Sequence, residues 1–237
     1  MDAAITQIQQ IAANNLVATV KYAFAEALAE QGTIDAGVLN MEGMSGRKCR
    51  FFLNNLIRLL PDPRYLEVGS WQGSTLCSAI NGNTVRATAI DNWSEFGGPR
   101  DAFFANVSTF KSPTADLRVI ENDFRSVDYS SIGKCNVFLF DGPHSLQDQY
   151  DGVLLALPAL DSQFVLIVDD WNWRQVRTAT LGAIVKLDLS LLYGLEIRTT
   201  LDDTHAEQVR QYSDWHNGCF ISVLQKPSAK ASAGDDT

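Results

Sequence analysis

The sequence predicts an α/β fold. We expect a doubly wound sheet of seven strands, mostly parallel, with a C-terminal antiparallel hairpin and helices ahead of it. Three observations lead there. From Tyr65 onward, short apolar runs alternate with stretches of helical period. The first run, Tyr65 to Val68, enters a turn from Gly69 to Gly73, and a helix opens at Ser74. Five consecutive strands close on an acidic or glycine signature: Glu67 and Gly69, then Asp91, Asp123, Asp141, and the pair Asp169 and Asp170. Right-handed crossovers bring all these ends to one edge of a parallel sheet.

Taken in order, residues 2–31 read as one helix, because Ile5, Ile8, Ala12, Leu16, Val20, Phe24 and Leu28 recur at three- and four-residue steps. Such a helix covers the core, forms a homodimer contact or closes over a site. Residues 33–46 read as loop, with Gly43 and Gly46 bracketing small groups before a helix over 47–60 that Pro61 and Pro63 end. Strands are expected at 65–68, 86–90, 117–121, 136–140 and 164–168, with helices at 74–80, 99–110 and 146–160 and a long one to 189. Strands at 195–200 and 219–224 lack a crossover helix between them and so pair as a hairpin around a polar loop, 201–218. The chain divides into a helical cap (1–60), a core (64–226) and a disordered tail (227–237) of one domain.

The chain has 237 residues and a net charge of -9, with 28 acidic and 19 basic residues. That balance disfavours a nucleic-acid surface. The four cysteines form no CxxC pair and read as buried thiols of a reducing compartment. No apolar run has membrane-spanning length and Asp2 stands where a leader would be basic, so neither membrane nor export is expected and the location is cytoplasmic.

An acid closing the second strand of such a sheet receives the hydroxyls of a ribose, and Asp91 holds that place, with Asn92 and Trp93 beside it. A nicotinamide site would show GxGxxG, which is missing. Glu67, Gly69, Ser70, Gly73 and Ser74 instead leave room for a zwitterionic amino-acid end, Glu67 acting on its ammonium through backbone or water. Asp123 accepts from an adenine amino group and Phe124 walls the ring.

With these residues the chain resembles class I S-adenosylmethionine-dependent methyltransferases, whose sheet is Rossmann-like. Leu66-Glu-Val-Gly-Ser-Trp-Gln-Gly-Ser-Thr75 is similar to their first motif and Ala89-Ile-Asp-Asn-Trp93 to their second. Within the class it resembles the methyltransferase-24 group through Asp141-Gly-Pro-His144 and Val168-Asp-Asp-Trp171, over roughly residues 43–226. Sugar O-methyltransferases of macrocin type and of mycobacterial methylmannose polysaccharide belong to that group. The resemblance implies S-adenosylmethionine as methyl donor and a saccharide or glycoside as acceptor.

A sugar hydroxyl, like water, holds its proton to a pKa of about 15.7, so a base or a metal must help. His144 is the expected base, with Asp141 shared between cofactor and chemistry. Asp141, Asp169 and Asp170 would repel one another unless a cation joined them, and oxygen-only ligation suits Mg²⁺. Related sugar enzymes use three acids and a divalent metal; some carry a second acid where this chain has Pro143, which leaves the base to His144. The acceptor is expected between Trp171, with Asn172 and Trp173, and a loop wall of Asp214, Trp215, His216 and Asn217 that also contains His205. Two other readings are a cofactor-binding module without catalysis and a nucleotide-dependent oxidoreductase.

Overall fold

The structure, a computed structural model, describes residues 4–10 and 15–228. Its sheet has eight strands: β1 (Ala4–Gln10), β2 (Arg64–Val68), β3 (Arg86–Asp91), β4 (Asp116–Glu121), β5 (Cys135–Phe140), β6 (Leu160–Asp169), β7 (Ser190–Arg198) and β8 (Cys219–Gln225). They lie in the order β1-β7-β8-β6-β5-β2-β3-β4. The expected seven are present, with β2 to β6 parallel to one another and β8 antiparallel between β6 and β7.

The eighth strand corrects the helix expected over 2–31. Ala4–Gln10 pairs antiparallel with β7, and the helix α1 covers only Asn15–Leu28. Ile5 and Ile8 stand three residues apart, which is the helical step, yet β7 offers an edge with which this backbone pairs, with a register shift between Gln7 and Gln9. Residues 2–3 and 11–14 of that expected helix, and 229–237 of the tail, lie outside the described residues.

The other helices are α2 (Ala36–Asn40), α3 (Arg47–Leu59), α4 (Ser74–Ile80), α5 (Arg100–Phe110), α6 (Leu146–Ala156) and α7 (Arg174–Lys186). Helix α2 falls inside the expected loop 33–46. Helix α6 ends early, because Pro158 tightens the chain into a short 3₁₀ turn and β6 begins at Leu160. Strand β7 begins five residues before the expected 195, directly after α7.

The central strands carry no polar alternation. Val137, Phe138, Leu139 and Phe140 of β5 are all buried, as befits a strand covered on both faces. One face packs on α1, α3, α4 and α5 through residues such as Phe52, Leu56, Leu76 and Phe103. The other packs on α6 and α7 through Val153, Ala156, Val176 and Ala183. All four cysteines are free and buried. Among the described residues, no helix is long and apolar enough to cross a membrane.

Two features of this frame position the site. The strand order reverses between β2 and β5, so a crevice opens at their carboxyl ends. There the Asp141 N–H donates to the Val68 carbonyl, and Gly69, at φ +84, lies so close that an added Cβ would stand 1.9 Å from the Asp141 carbonyl oxygen. Arg50, fully buried on α3, is the second feature. Its guanidinium donates to the carbonyls of Val38, Met41, Gly43 and Ser45, which gathers residues 38–45 against α4. Burial lowers its pKa to about 10.

Gly69→Ala should therefore separate β2 from β5 and abolish cooperative folding or leave a protein that binds no ligand, read by thermal denaturation. Arg50→Met should cost about 3 kcal/mol or more in a urea titration, because several buried carbonyls lose their donors together.

Candidate active site

The glycine turn is braced from its neighbours. The Asp91 carboxylate accepts from the backbone N–H groups of Ser70 and Trp71 through Oδ2 and of Trp93 through Oδ1. The Trp93 indole donates to the Trp71 carbonyl, and the Trp71 indole to the Phe96 carbonyl. Gly73, at φ +86, precedes α4 with its Cβ position against Phe103. Helix α4 opens at Ser74 as expected, with Gly73 as its cap residue, and the Ser74 hydroxyl meets that of Ser45 at 2.9 Å, both buried.

Glu67 is sealed beneath the turn. It is fully buried, accepts from the Tyr65 and Ser70 hydroxyls, and burial raises its pKa to about 7. It holds the turn from below and lines neither cavity.

A cavity of about 370 Å³ opens above the turn. Gly69, Asp91, Asn92, Trp93, Asp141, His144, Asp169, Asp170 and His216 line it, so nearly half of the expected site residues meet in one place. A smaller hollow of about 150 Å³ shares Gly69, Asp91, Asn92 and Gly142 with it and is closed by Asp123 and Phe124. All three histidines of the chain, His144, His205 and His216, face the larger cavity.

Its floor is an ionic cluster. His144 Nε2 lies 2.8 Å from Asp170 Oδ2 and 3.6 Å from Asp141 Oδ1. Burial alone would lower the His144 pKa, but the two carboxylates outweigh it and hold the imidazole protonated to about 10. Burial raises Asp141 to about 6, and burial together with Asp141 and Asp170 raises Asp169 well above the usual carboxylate range. Asp170 also loses solvation on burial, yet His144 prevails and keeps it below the ordinary value. Asp170 Oδ1 and His144 Nδ1 are buried without hydrogen-bond partners. The donor atoms that converge within 4.8 Å are those of Asp141, His144 and Asp170, so an imidazole stands where the sequence suggests a third carboxylate, and Asp169 lines the cavity beside them.

The acceptor walls differ from those expected. Trp171 is fully buried, stacked on Phe220 at 4.4 Å, with its indole donating to Glu196. Asp170 sits at φ +55, which turns its own side chain to the cavity and sends Trp171 beneath the sheet edge. Asp214 and Trp215 also lie away from the cavity. The Asp214 carbonyl accepts from Lys48 N–H at the start of α3, its carboxylate pairs with Lys48, and Trp215 is buried against Phe24. Asn217 is buried; its Oδ1 accepts from the Ala206 N–H, and its amide favours the Asp170 anion. Of the expected loop wall, His205 reaches the cavity and so does His216. Its Nδ1 accepts the Arg210 backbone N–H, which puts any ring proton of the neutral imidazole on Nε2, and burial lowers its pKa to about 4.

Sequence reasoning missed Trp71, Phe96, Val209 and Arg210 as cavity residues. A backbone signal marks the region. Nine non-glycine residues have positive φ among those described, and six of them line this cavity: Trp71, Trp93, Phe96, Asp170, Arg210 and His216. Strained backbone of this kind gathers at ligand sites, at roughly 1–3 kcal/mol each.

Comparison with known proteins agrees with this geometry. Residues 66–171 match a family described as a methyltransferase domain. No curated protein matches the chain by sequence. Among solved structures it is similar to an O-methyltransferase from Bacillus cereus in complex with SAH (14% identity, TM-score 0.51, covering 91% of this chain and 93% of that one). It is also similar to the O-methyltransferase TomG from Streptomyces achromogenes, involved in tomaymycin synthesis and solved with SAM (12%, 0.51, 92% and 92%). A third is TrmN from Thermus thermophilus (16%, 0.50, 75% of this chain and 49% of that one). The chain spans about half the length of TrmN and of some other solved structures it matches. Residues 66–171 thus match the methyltransferase-domain family, and the chain shares the fold of these solved methyltransferases.

Proposed function

We propose that this chain is an S-adenosylmethionine-dependent O-methyltransferase whose acceptor is a hydroxyl of a sugar or a similar small molecule. One observation carries the reading: His144, clamped by Asp141 and Asp170, faces the same cavity as the glycine turn and Asp91. A proton-handling group and a nucleoside cradle therefore share one space. The two O-methyltransferases of like fold, solved with SAH and SAM, support the choice of cofactor and of oxygen as the acceptor atom.

In this reading the adenine enters the smaller hollow beside Phe124 and Asp123, and Asp91 and Asn92 receive the ribose. The sulfonium then lies over Gly69 and Asp141. The acceptor occupies the remaining space against Trp173, whose ring meets His144 edge-on at 5.4 Å, with the His216 Nε2–H as a fixed donor to one of its oxygens. Trp173 replaces Trp171 and Trp215 as the stacking face. Holding the hydroxyl in line with the methyl group supplies most of the rate.

Only after losing its own proton can His144 take the hydroxyl proton at Nε2, and Asp170 at 2.8 Å then steadies the imidazolium that forms again. As the structure stands, that nitrogen is already protonated at neutral pH. The cluster fits a divalent cation: two acids have raised pKa values, and Asp170 Oδ1 lacks a partner. Asp141 and Asp170, whose oxygens converge, with Asp169 beside them, would hold Mg²⁺ or a similar ion, which when bound would supply charge that acidifies the hydroxyl and lowers the pKa of His144.

His144→Ala should leave affinity for S-adenosylhomocysteine unchanged and lower methyl transfer by about 10²–10⁴-fold, measured with labelled donor on a saccharide panel. Unchanged turnover would remove His144 from the chemistry. Cation binding must displace a proton from a group that titrates at about 10, so the affinity for Mg²⁺ or Mn²⁺ should rise as pH rises from 6 toward 9, with proton release in calorimetry. EDTA should lower activity and Mg²⁺ restore it; indifference to both would contradict the cation.

A further inference from the structure

The polar loop 201–218 does more than border the acceptor. Arg210 reaches from it to the glycine turn, where its guanidinium lies 5.7 Å from the centre of the Trp71 ring. Nη1 donates to Glu42 Oε1 at 3.1 Å, between two largely exposed side chains. The other guanidinium N–H groups have no partner among the described residues. The backbone beneath is firmly held. Arg210 has φ +60, its N–H donates to His216 Nδ1, and its carbonyl accepts from the Ser213 hydroxyl and N–H.

Charge makes this residue distinctive. Asp91, Glu95, Asp141, Asp169 and Asp170 line the cavity, and among the described residues Arg210 is its one lysine or arginine. His144 already serves Asp141 and Asp170. A ligand carrying a carboxylate meets repulsion throughout such a cavity except at Arg210. S-adenosylmethionine carries one, on the amino-acid end that the glycine turn must accommodate.

Resting on the reading that this cavity takes S-adenosylmethionine, we propose that Arg210 binds the carboxylate of the cofactor's amino-acid end. Two of its free N–H groups offer the fork that a carboxylate accepts in pairs. In the ligand-free protein Glu42 occupies the guanidinium as a weak competitor. Because the Arg210 N–H also holds His216 Nδ1, the carboxylate contact and the His216 donor are carried by one braced turn. Trp71 serves as the platform on which the guanidinium rests.

The test pairs a change in the protein with a change in the ligand. Calorimetry should show S-adenosylhomocysteine binding about 10- to 100-fold more weakly to Arg210→Gln than to the wild type. 5′-Methylthioadenosine, which has no amino-acid end, should bind both proteins equally. Arg210→Lys should recover part of the loss, and Glu42→Gln should tighten S-adenosylhomocysteine by about two- to five-fold. Equal weakening of both ligands would make Arg210 a structural support and overturn the proposal. So would unaltered S-adenosylhomocysteine affinity with a raised acceptor KM, which would assign the anion to the acceptor. If the wild type bound neither ligand, the proposed function itself would fail; if it bound both and Arg210→Gln changed nothing, only this inference would.

Discussion

Three acids on adjoining strand ends, two of them buried and Asp141 partly so, need positive charge between them, and the rest of the site is arranged around that need. Asp141 closes β5, and Asp169 and Asp170 close β6. In the structure the proton on His144 supplies the charge, through contacts of 2.8 and 3.6 Å. A carboxylate desolvated to this extent without a partner gives up its ionised form, and Asp169, which has no imidazole, has its pKa raised accordingly. Whatever brings a second cation close to this cluster changes the protonation of His144. Cation binding and base strength are thus one electrostatic quantity seen from two sides.

The fold brings that cluster beside the glycine turn without special devices. The order of the sheet reverses between β2 and β5, so the glycine turn after β2 and Asp141 after β5 become neighbours across one backbone contact. Gly69 is needed there because the Asp141 carbonyl occupies the place of its side chain. This is a different reason from close approach of a ligand, and it ties folding to function: the residue that joins the two strands also sets the separation of cradle and acids. Asp91 works in the same double manner, since its carboxylate holds three backbone N–H groups of the turn region while its edge lines the cavity.

Much of this was legible in the sequence. Parallel strands separated by crossovers must end on one edge, so Asp91, Asp141, Asp169 and Asp170 could be placed together from spacing alone. Side-chain direction could not. Trp171 follows Asp170, whose left-handed backbone turns the next residue under the sheet, and an aromatic residue beside an acid looks the same in sequence whichever way it points. Asp214 and Trp215 were misplaced for a related reason: the loop folds back to cap α3, and a carbonyl engaged at a helix start leaves no mark on residue type. Arg50 was hidden because an arginine in an apolar stripe reads as surface, while its buried guanidinium in fact organises five residues of loop and helix. The N-terminal strand was lost to a helical period that Ala4–Gln10 satisfies equally well.

The central claim, that the charge between the acids resides on His144, is open to direct observation. Nitrogen-15 resonances of the three imidazoles can be followed through a pH titration of the metal-free protein, with His144→Gln to assign the signal. The account predicts a His144 ring protonated on both nitrogens at pH 7 and titrating near 10, with His216 neutral from about pH 4 upward and protonated on Nε2. A His144 that titrates close to 6.5 would contradict it, because an imidazole so placed would not be held by Asp141 and Asp170 at all.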